Sequence, residues 1–431
     1  MSGLRFGFLT TFYPPHNFGG DGIGVQRLAR GLVRNGHQVT VGYDVEAYEA
    51  LSPRPAPEAA AEPAGLEVVP FRSGWGKLSL LLTQQLGRPV MNAGRIRAML
   101  EEREVDVTVY HNASLIGGPG LFRCGRGVRI YMAHEHWLVC PTHVLWRHQR
   151  ERCEARQCLR CQFHYRRPPQ LWRSGGVLER ALPEVDVFIA MSEFSRQKHR
   201  EFGFPREMEV VPYFLPDPEP SGARLGGASP HPRPYFLFVG RLERIKGLDD
   251  VIPLFRDYLD ADLIIAGDGE YGDRLRAIGQ GIDRVHFLGR VPGEELRRYY
   301  EHAIALIVPS VCFETFGIIL IEAFKQGTPV IARRLGPFPE IVEAAGAGEL
   351  FGTTDELIAA IRRLQSDSAH RDRLAAAAYR GYLERWSERA VIPQFLDVVR
   401  RAAARKGDRR VLERLGAHLA GPAVPEGASV S

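Results

Sequence analysis

Two doubly wound α/β domains facing each other across a cleft are the fold this sequence predicts, and three observations predict it. Short apolar runs alternate with amphipathic helical stretches in two separate series. A stretch too rich in proline and glycine to belong to either series divides them. The 431 residues, 45% of them hydrophobic, exceed what one core comfortably holds.

The first series places strands at 4–10, 38–43, 105–110, 129–133 and 187–191, each bounded by turn or helical signals. Leu4, Phe6 and Phe8 alternate in the first strand, and the helix after it carries Val25, Leu28, Ala29 and Leu32 on one face. Residues 56–64 read as a Pro/Ala/Glu loop. The stretch 212–234, with Pro216, Pro218, Pro220, Pro230, Pro232 and the pair Gly226-Gly227, cannot continue a helix or a strand. A second series follows, with strands at 235–239, 262–266, 285–288, 305–308 and 329–332. The expected units are a first domain at 1–215 with a cysteine-bearing insertion at about 138–173, a linker at 216–234 and a second domain at 235–382. A C-terminal helix at 383–404, placed to cross back to the first domain, and a basic then disordered tail at 405–431 complete the chain.

Charge narrows the function little. A formal net charge of +5 suits anionic small ligands and does not demand nucleic acid. The chain opens directly on a strand pattern, with no basic n-region or cleavage site, and no apolar run reaches the roughly 20 residues of a membrane span. A cytoplasmic protein is expected, with peripheral contact at a membrane left open.

The chemistry concentrates after the strand ends. Glu314 and Glu322 stand with seven residues between them, and Gly317 opens a helix just after strand 305–308. Free amides and the positive end of a helix dipole then lie at the carboxyl edge of the sheet, where α/β sheets bind phosphates. A helix rises about 1.5 Å per residue, so the two carboxylates can bracket different parts of one extended ligand. Gly240, Arg241 and Lys246 follow strand 235–239 and offer a guanidinium and an ammonium suited to a diphosphate. Taken singly, either cation would be an ordinary solvated charge. Gly19 and Gly20 follow the first strand, where missing side chains let backbone approach a ligand closely. Asp260-Ala261-Asp262 has the form of an acidic metal signature but leads into a strand, which makes it weak evidence.

Phe313 to Phe324 resembles the EX7E motif of family-4 glycosyltransferases, retaining enzymes of the GT-B fold. The resemblance runs over about 4–400 and is strongest over 238–340. It implies that Glu314 and the backbone of Phe316, Gly317 and Ile318 contact the donor sugar, and that Glu322 accepts hydrogen bonds from the ribose. It implies that Arg241 and Lys246 take up charge on the departing diphosphate, without a divalent metal, and that Gly19 and Gly20 lie beside that diphosphate. The backbone of Arg290, within Gly289-Arg290-Val291, matches a position that reads the base edge. Ala133-His134-Glu135-His136-Trp137 resembles the family's His-Asp-x-Trp segment, which makes His134 the active-site histidine, able to donate to a sugar hydroxyl near neutral pH. Retention of anomeric configuration comes from the family; residue spacing does not show it.

Four of six cysteines, Cys140, Cys153, Cys158 and Cys161, crowd into the insertion among arginines. Their spacing can support zinc, some family members carry a similar insertion, and a structural zinc and free thiols stay equally open, so the metal is unknown. The function expected is transfer of a sugar from a nucleotide-diphosphate sugar to a glycan, lipid-linked or small-molecule acceptor, with no cofactor required. A sugar-nucleotide 2-epimerase on the same fold and a non-catalytic nucleotide-sugar sensor are the alternatives. No nucleic-acid partner is expected.

Overall fold

The structure, a computed structural model, describes residues 3–52, 55–218, 227–258 and 260–419. The middle of the expected linker, 219–226, and the end of the tail, 420–431, lie outside them.

The first sheet is built from β1 Arg5–Thr10, β2 Gln38–Asp44, β3 Leu66–Phe71, β4 Val107–Tyr110 and β5 Val128–Ala133. After the small hairpin of β6 Trp146–Arg147 and β7 Glu151–Arg152, β8 Val187–Ala190 and β9 Met208–Val210 complete it. Seven strands stand in the order β3-β2-β1-β4-β5-β8-β9, and all neighbours are parallel. The second sheet comprises β10 Tyr235–Val239, β11 Asp262–Ala266, β12 Val285–Gly289, β13 Leu306–Val308, β14 Val330–Arg333 and β15 Gly348–Phe351, in the parallel order β12-β11-β10-β13-β14-β15. Each is doubly wound around its first strand, and this is the GT-B architecture of two Rossmann-like domains.

Burial explains why the central strands read clearly. β4, β8, β10 and β11 are buried throughout, because helices cover both faces of a parallel sheet and such strands become continuous apolar runs. β3, β9 and β15, absent from the sequence prediction, are edge strands. β3 alternates buried ends with exposed or half-buried positions and carries Pro70, which an edge tolerates because one side of the strand has no ladder to complete. The strand expected at 105–110 starts at Val107, because the Asp106 carboxylate binds the Arg5 amide at 2.9 Å and the Arg414 guanidinium at 2.5 Å.

The predicted C-terminal helix begins later, at Glu388, after a wide π-type turn over Tyr382–Trp386, and runs to Lys406. It packs on the first sheet. Phe395 lies 6.2 Å from the Phe6 ring, Arg34 grips Glu388, and the Lys406 ammonium sits 2.7 Å from Asp186. The helix Arg409–Leu419 follows, burying Val411 and Leu415 within what the sequence presented as the start of a tail. Among the described residues no helix is long and apolar enough to cross a membrane.

Candidate functional site

Backbone contacts that only glycine permits bring the second-domain residues together. Gly247 has φ +73°, and a Cβ there would stand 2.2 Å from the Pro309 carbonyl oxygen. The loop after β10 is thereby pressed onto the loop after β13, with the Val311 amide donating to Ile245 O at 2.9 Å. This contact carries Lys246 to Glu314, Nζ to Oε1 at 2.6 Å, while the Ser310 hydroxyl donates to the same oxygen at 3.2 Å. Burial alone would pull the Lys246 ammonium down; Glu314 more than reverses this and holds its pKa above the usual lysine value. Lys246 is therefore a fixed cation. Gly240 and Gly267 pack equally closely, since a Cβ on Gly267 would fall 1.8 Å from Gly240 O, so the loops after β10 and β11 meet backbone to backbone.

Arg241 is more open, its side chain 59% exposed and paired with Glu243 at 2.8 Å. Gly317 caps the helix Ile318–Lys325, which puts Glu322 one turn inside it and facing the first domain. There Arg27 Nη2 lies 3.1 Å from Glu322 Oε1, and the Tyr300 hydroxyl donates to Oε2 at 3.4 Å. A Cβ on Gly20 would sit 3.1 Å from the Ile318 side chain, and one on Gly19 would be 4.0 Å from Arg241 Nε. Gly19 with Arg241, Gly20 with Ile318 and Arg27 with Glu322 thus meet across the seam between the two domains, and Gly240, Lys246, Glu314 and Gly317 lie on the second-domain loops and helix end next to them in the chain. Arg290 is exposed just after β12; its neighbour Gly289 is tied to the loop after β11, the Gly267 amide donating to Gly289 O at 2.7 Å.

His134 follows β5 on the other side of the seam. Its carbonyl accepts from the Thr315 hydroxyl at 2.8 Å, while its ring is buried and has both nitrogens occupied. Nδ1 makes a short hydrogen bond with the Tyr213 hydroxyl, and Nε2 is 2.8 Å from His111 Nδ1. Burial lowers its pKa to about 4, against a small upward pull from Asp21. Burial, then the neighbouring His134, lowers His111 as well. Both rings are neutral near pH 7. The Tyr213 ring also stacks toward Phe316 at 5.7 Å, which connects Phe316 to the histidine pair.

Sequence reasoning missed His111, Tyr213, Arg27 and Glu340. His111 carried a usable signal, a histidine directly after a strand at the carboxyl edge of the sheet. Tyr213 was hidden inside the Pro-rich stretch. Arg27 and Glu340 act across 295 and 147 residues respectively; Glu340 accepts the Glu193 and Phe194 amides at 3.1 and 2.9 Å, capping a first-domain helix from the second domain. No local pattern reveals such pairs.

The four insertion cysteines are free, and no three of their sulfurs converge as a ligand set. Three have a local partner: Cys140 lies 3.3 Å from the Thr142 hydroxyl, Cys153 donates to Ala155 O at 3.6 Å, and Cys161 accepts from the His148 amide at 3.4 Å. Burial, reinforced by the other three thiols, pushes Cys153 up to about 11, so it is a thiol at neutral pH.

Two family models match the chain in succession. Residues 18–216 match Glycosyltransferase Family 4, and residues 226–381 match Glycosyl transferases group 1. An uncharacterised glycosyltransferase of Methanocaldococcus jannaschii is 25% identical over 419 residues, covering 89% of this chain and 95% of the relative. Sucrose-phosphate synthase of Thermosynechococcus elongatus has the same fold, with a TM-score of 0.70 at 19% identity over 93% of this chain and 99% of the other. So has HepE of Anabaena, solved with UDP-glucose, with a TM-score of 0.61 at 19% identity over 92% and 99%. The chain belongs to the family 4, group 1 glycosyltransferases with the GT-B fold, whose activity is glycosyl transfer from a nucleotide sugar.

Proposed function

We propose that the protein is a retaining glycosyltransferase that needs no divalent metal and takes its donor in the seam between the two sheets. The observation that carries this reading is the Lys246–Glu314 pair at 2.6 Å, beside Arg241 and the amides at Gly317. When the bond from C1 of the sugar to the β-phosphate oxygen breaks, its electrons collect on the diphosphate. Cations held in place beforehand stabilise that charge more in the transition state than in the ground state. Glu314, oriented by Lys246 and Ser310, holds sugar hydroxyls, and Glu322 takes the ribose. The acceptor hydroxyl forms the new bond to C1, and its proton leaves with the diphosphate. His134, neutral and with both ring nitrogens engaged by Tyr213 and His111, neither acts as an acid nor donates directly to a sugar hydroxyl, and shapes the sugar side through those two partners.

The UDP-glucose complex of the Anabaena neighbour makes a uridine diphosphate sugar the first donor to test. A groove of about 490 Å³, lined by Phe313 together with Cys153, Arg156, Lys198 and Phe202, is the candidate place for an acceptor. Exposed Trp75, Leu78, Leu81 and Leu86 on the first domain, with Leu159, Phe163 and Leu171 on its insertion, favour a lipid-linked acceptor approached from the cytoplasmic face of a membrane. The test is a thermal-shift screen of nucleoside diphosphates and their sugars, followed by transfer assays with and without chelator. A donor that binds and is consumed in chelator supports the reading. A reversible requirement for magnesium or manganese overturns the metal-free part. An isomerised nucleotide sugar without acceptor would instead establish an epimerase, and binding without turnover a sensor.

A further inference from the structure

We propose that His231, Asp262 and His286 form a binding site for a divalent transition metal that fastens the interdomain connection to the second domain. His231 lies near the end of that connection, Asp262 is the first residue of β11, and His286 is the second residue of β12. All three stand at the amino edge of the sheet, whereas Gly240, Gly267 and Gly289 end the same strands at the opposite edge, so the cluster is separate from the donor seam.

The three donor atoms converge. His231 Nε2 is 2.7 Å and His286 Nε2 is 3.0 Å from the same oxygen, Oδ2 of Asp262, and all three atoms lie within 4.8 Å of one another. Ligands bound at about 2.1 Å to a six-coordinate ion stand about 3 Å apart, so the ion enters with small rotations of two imidazoles. Among the described residues this is the one grouping of three such side chains that meets that spacing. The other carboxylate oxygen, Oδ1, is held by Arg233 Nε at 3.1 Å and Arg284 Nη1 at 3.4 Å, which aims Oδ2 at the imidazoles. Outer partners of this kind are how proteins orient a ligating carboxylate.

The donor set selects the ion. Two imidazoles and one carboxylate suit zinc, nickel or cobalt, while the adjacent guanidiniums work against magnesium or calcium, which depend on a surplus of negative charge. Asp262 is buried, whereas the His286 side chain is 37% exposed, leaving a route for entry and positions for water. A bound ion would hold His231 on β11 and β12 and so fix the segment that leads from the first domain into β10.

The test uses the full chain, stripped with chelator and kept reduced, and titrated with cobalt(II). One cobalt is expected, with visible ligand-field bands and no near-ultraviolet thiolate band, the latter being the signature of Cys140, Cys153, Cys158 or Cys161. His231→Gln and His286→Gln should each weaken cobalt binding by at least about tenfold and abolish the zinc-dependent rise in Tm. Both should transfer sugar at the parent rate, because neither residue lies at the donor seam. Unchanged cobalt affinity in both variants, thiolate ligation alone, or no binding would each overturn the site. None of these outcomes bears on the proposed transferase activity.

Discussion

Replacing Lys246 by methionine removes one charge and keeps most of the volume. Lys246 Nζ is 2.6 Å from Glu314, and the two side chains are 19% and 26% exposed, so the pair is shielded but not dry. Loss of one preorganised donor at a developing anion costs about 3–4 kcal/mol of transition-state stabilisation, or about 10²–10³ in kcat. The stability cost is smaller. Glu314 keeps Ser310 and reaches solvent, so the unpaired carboxylate costs about 1–2 kcal/mol after screening. Activity should thus fall much further than stability. Donor turnover followed by nucleoside-diphosphate release, together with the Tm of each variant, separates the two effects. Glu314→Gln in the Lys246→Met background should add little, because the first change has already released Glu314 from its orienting cation. A folded Lys246→Met protein within tenfold of the parent kcat would refute the assignment of Lys246 to the leaving diphosphate.

Three further outcomes are expected. Gly247→Ala, with φ +73° and a Pro309 oxygen 2.2 Å from the new Cβ, should cost clearly more in thermal or urea unfolding than Gly281→Ala, with φ +74° and open space, where about 1 kcal/mol is expected. Arg27→Met removes the 3.1 Å bridge to Glu322, and small-angle scattering should show a more open ligand-free molecule while kcat at saturating donor changes little. Stability should fall as pH drops from about 6.5 to about 4, because His134 and His199 have folded pKa values lowered by burial from 6.5 to about 4, and the unfolded chain takes up protons first. That is about 3 kcal/mol for each histidine; Asp44, raised by burial from 3.8 to about 6, returns about 3 kcal/mol over the same range, and urea midpoints should still decline.

What the sequence revealed follows burial. Strands covered on both faces, such as Tyr235–Val239 and Asp262–Ala266, were placed to the residue, because continuous apolar runs leave no second reading. Edge strands at Leu66–Phe71 and Gly348–Phe351 were missed because most positions of each are only partly buried or exposed and the apolar pattern dilutes. At the site, residues on one loop or helix were legible as a group: Glu314, Gly317, Ile318 and Glu322 span nine positions. Contacts made by chain crossing were not. Arg27 with Glu322, Thr315 with the His134 carbonyl and Glu340 with the Glu193 amide depend on how one domain meets the other, which no window of sequence contains.

Four of the cross-domain contacts share an origin. Ser192 donates to Thr315 O at 2.6 Å, Thr315 donates to His134 O, Ile318 fills the space left by Gly20, and Arg27 reaches Glu322. Each has one end within residues 315–322, the segment that also carries the glutamate pattern. The residues that hold the two domains together are therefore interleaved with those proposed to hold the donor. Glu314 and Lys246 complete their pair within the second domain alone, but Glu322 makes its contact with Arg27 only across the seam. Separating the domains would leave the Lys246–Glu314 pair intact and would remove Arg27 from Glu322, Thr315 from the His134 carbonyl and Ile318 from Gly20 together. If the proposed donor roles hold, domain closure sets how well the sugar and ribose are gripped, while the strength of the leaving-group cation is settled by the local fold around Gly247.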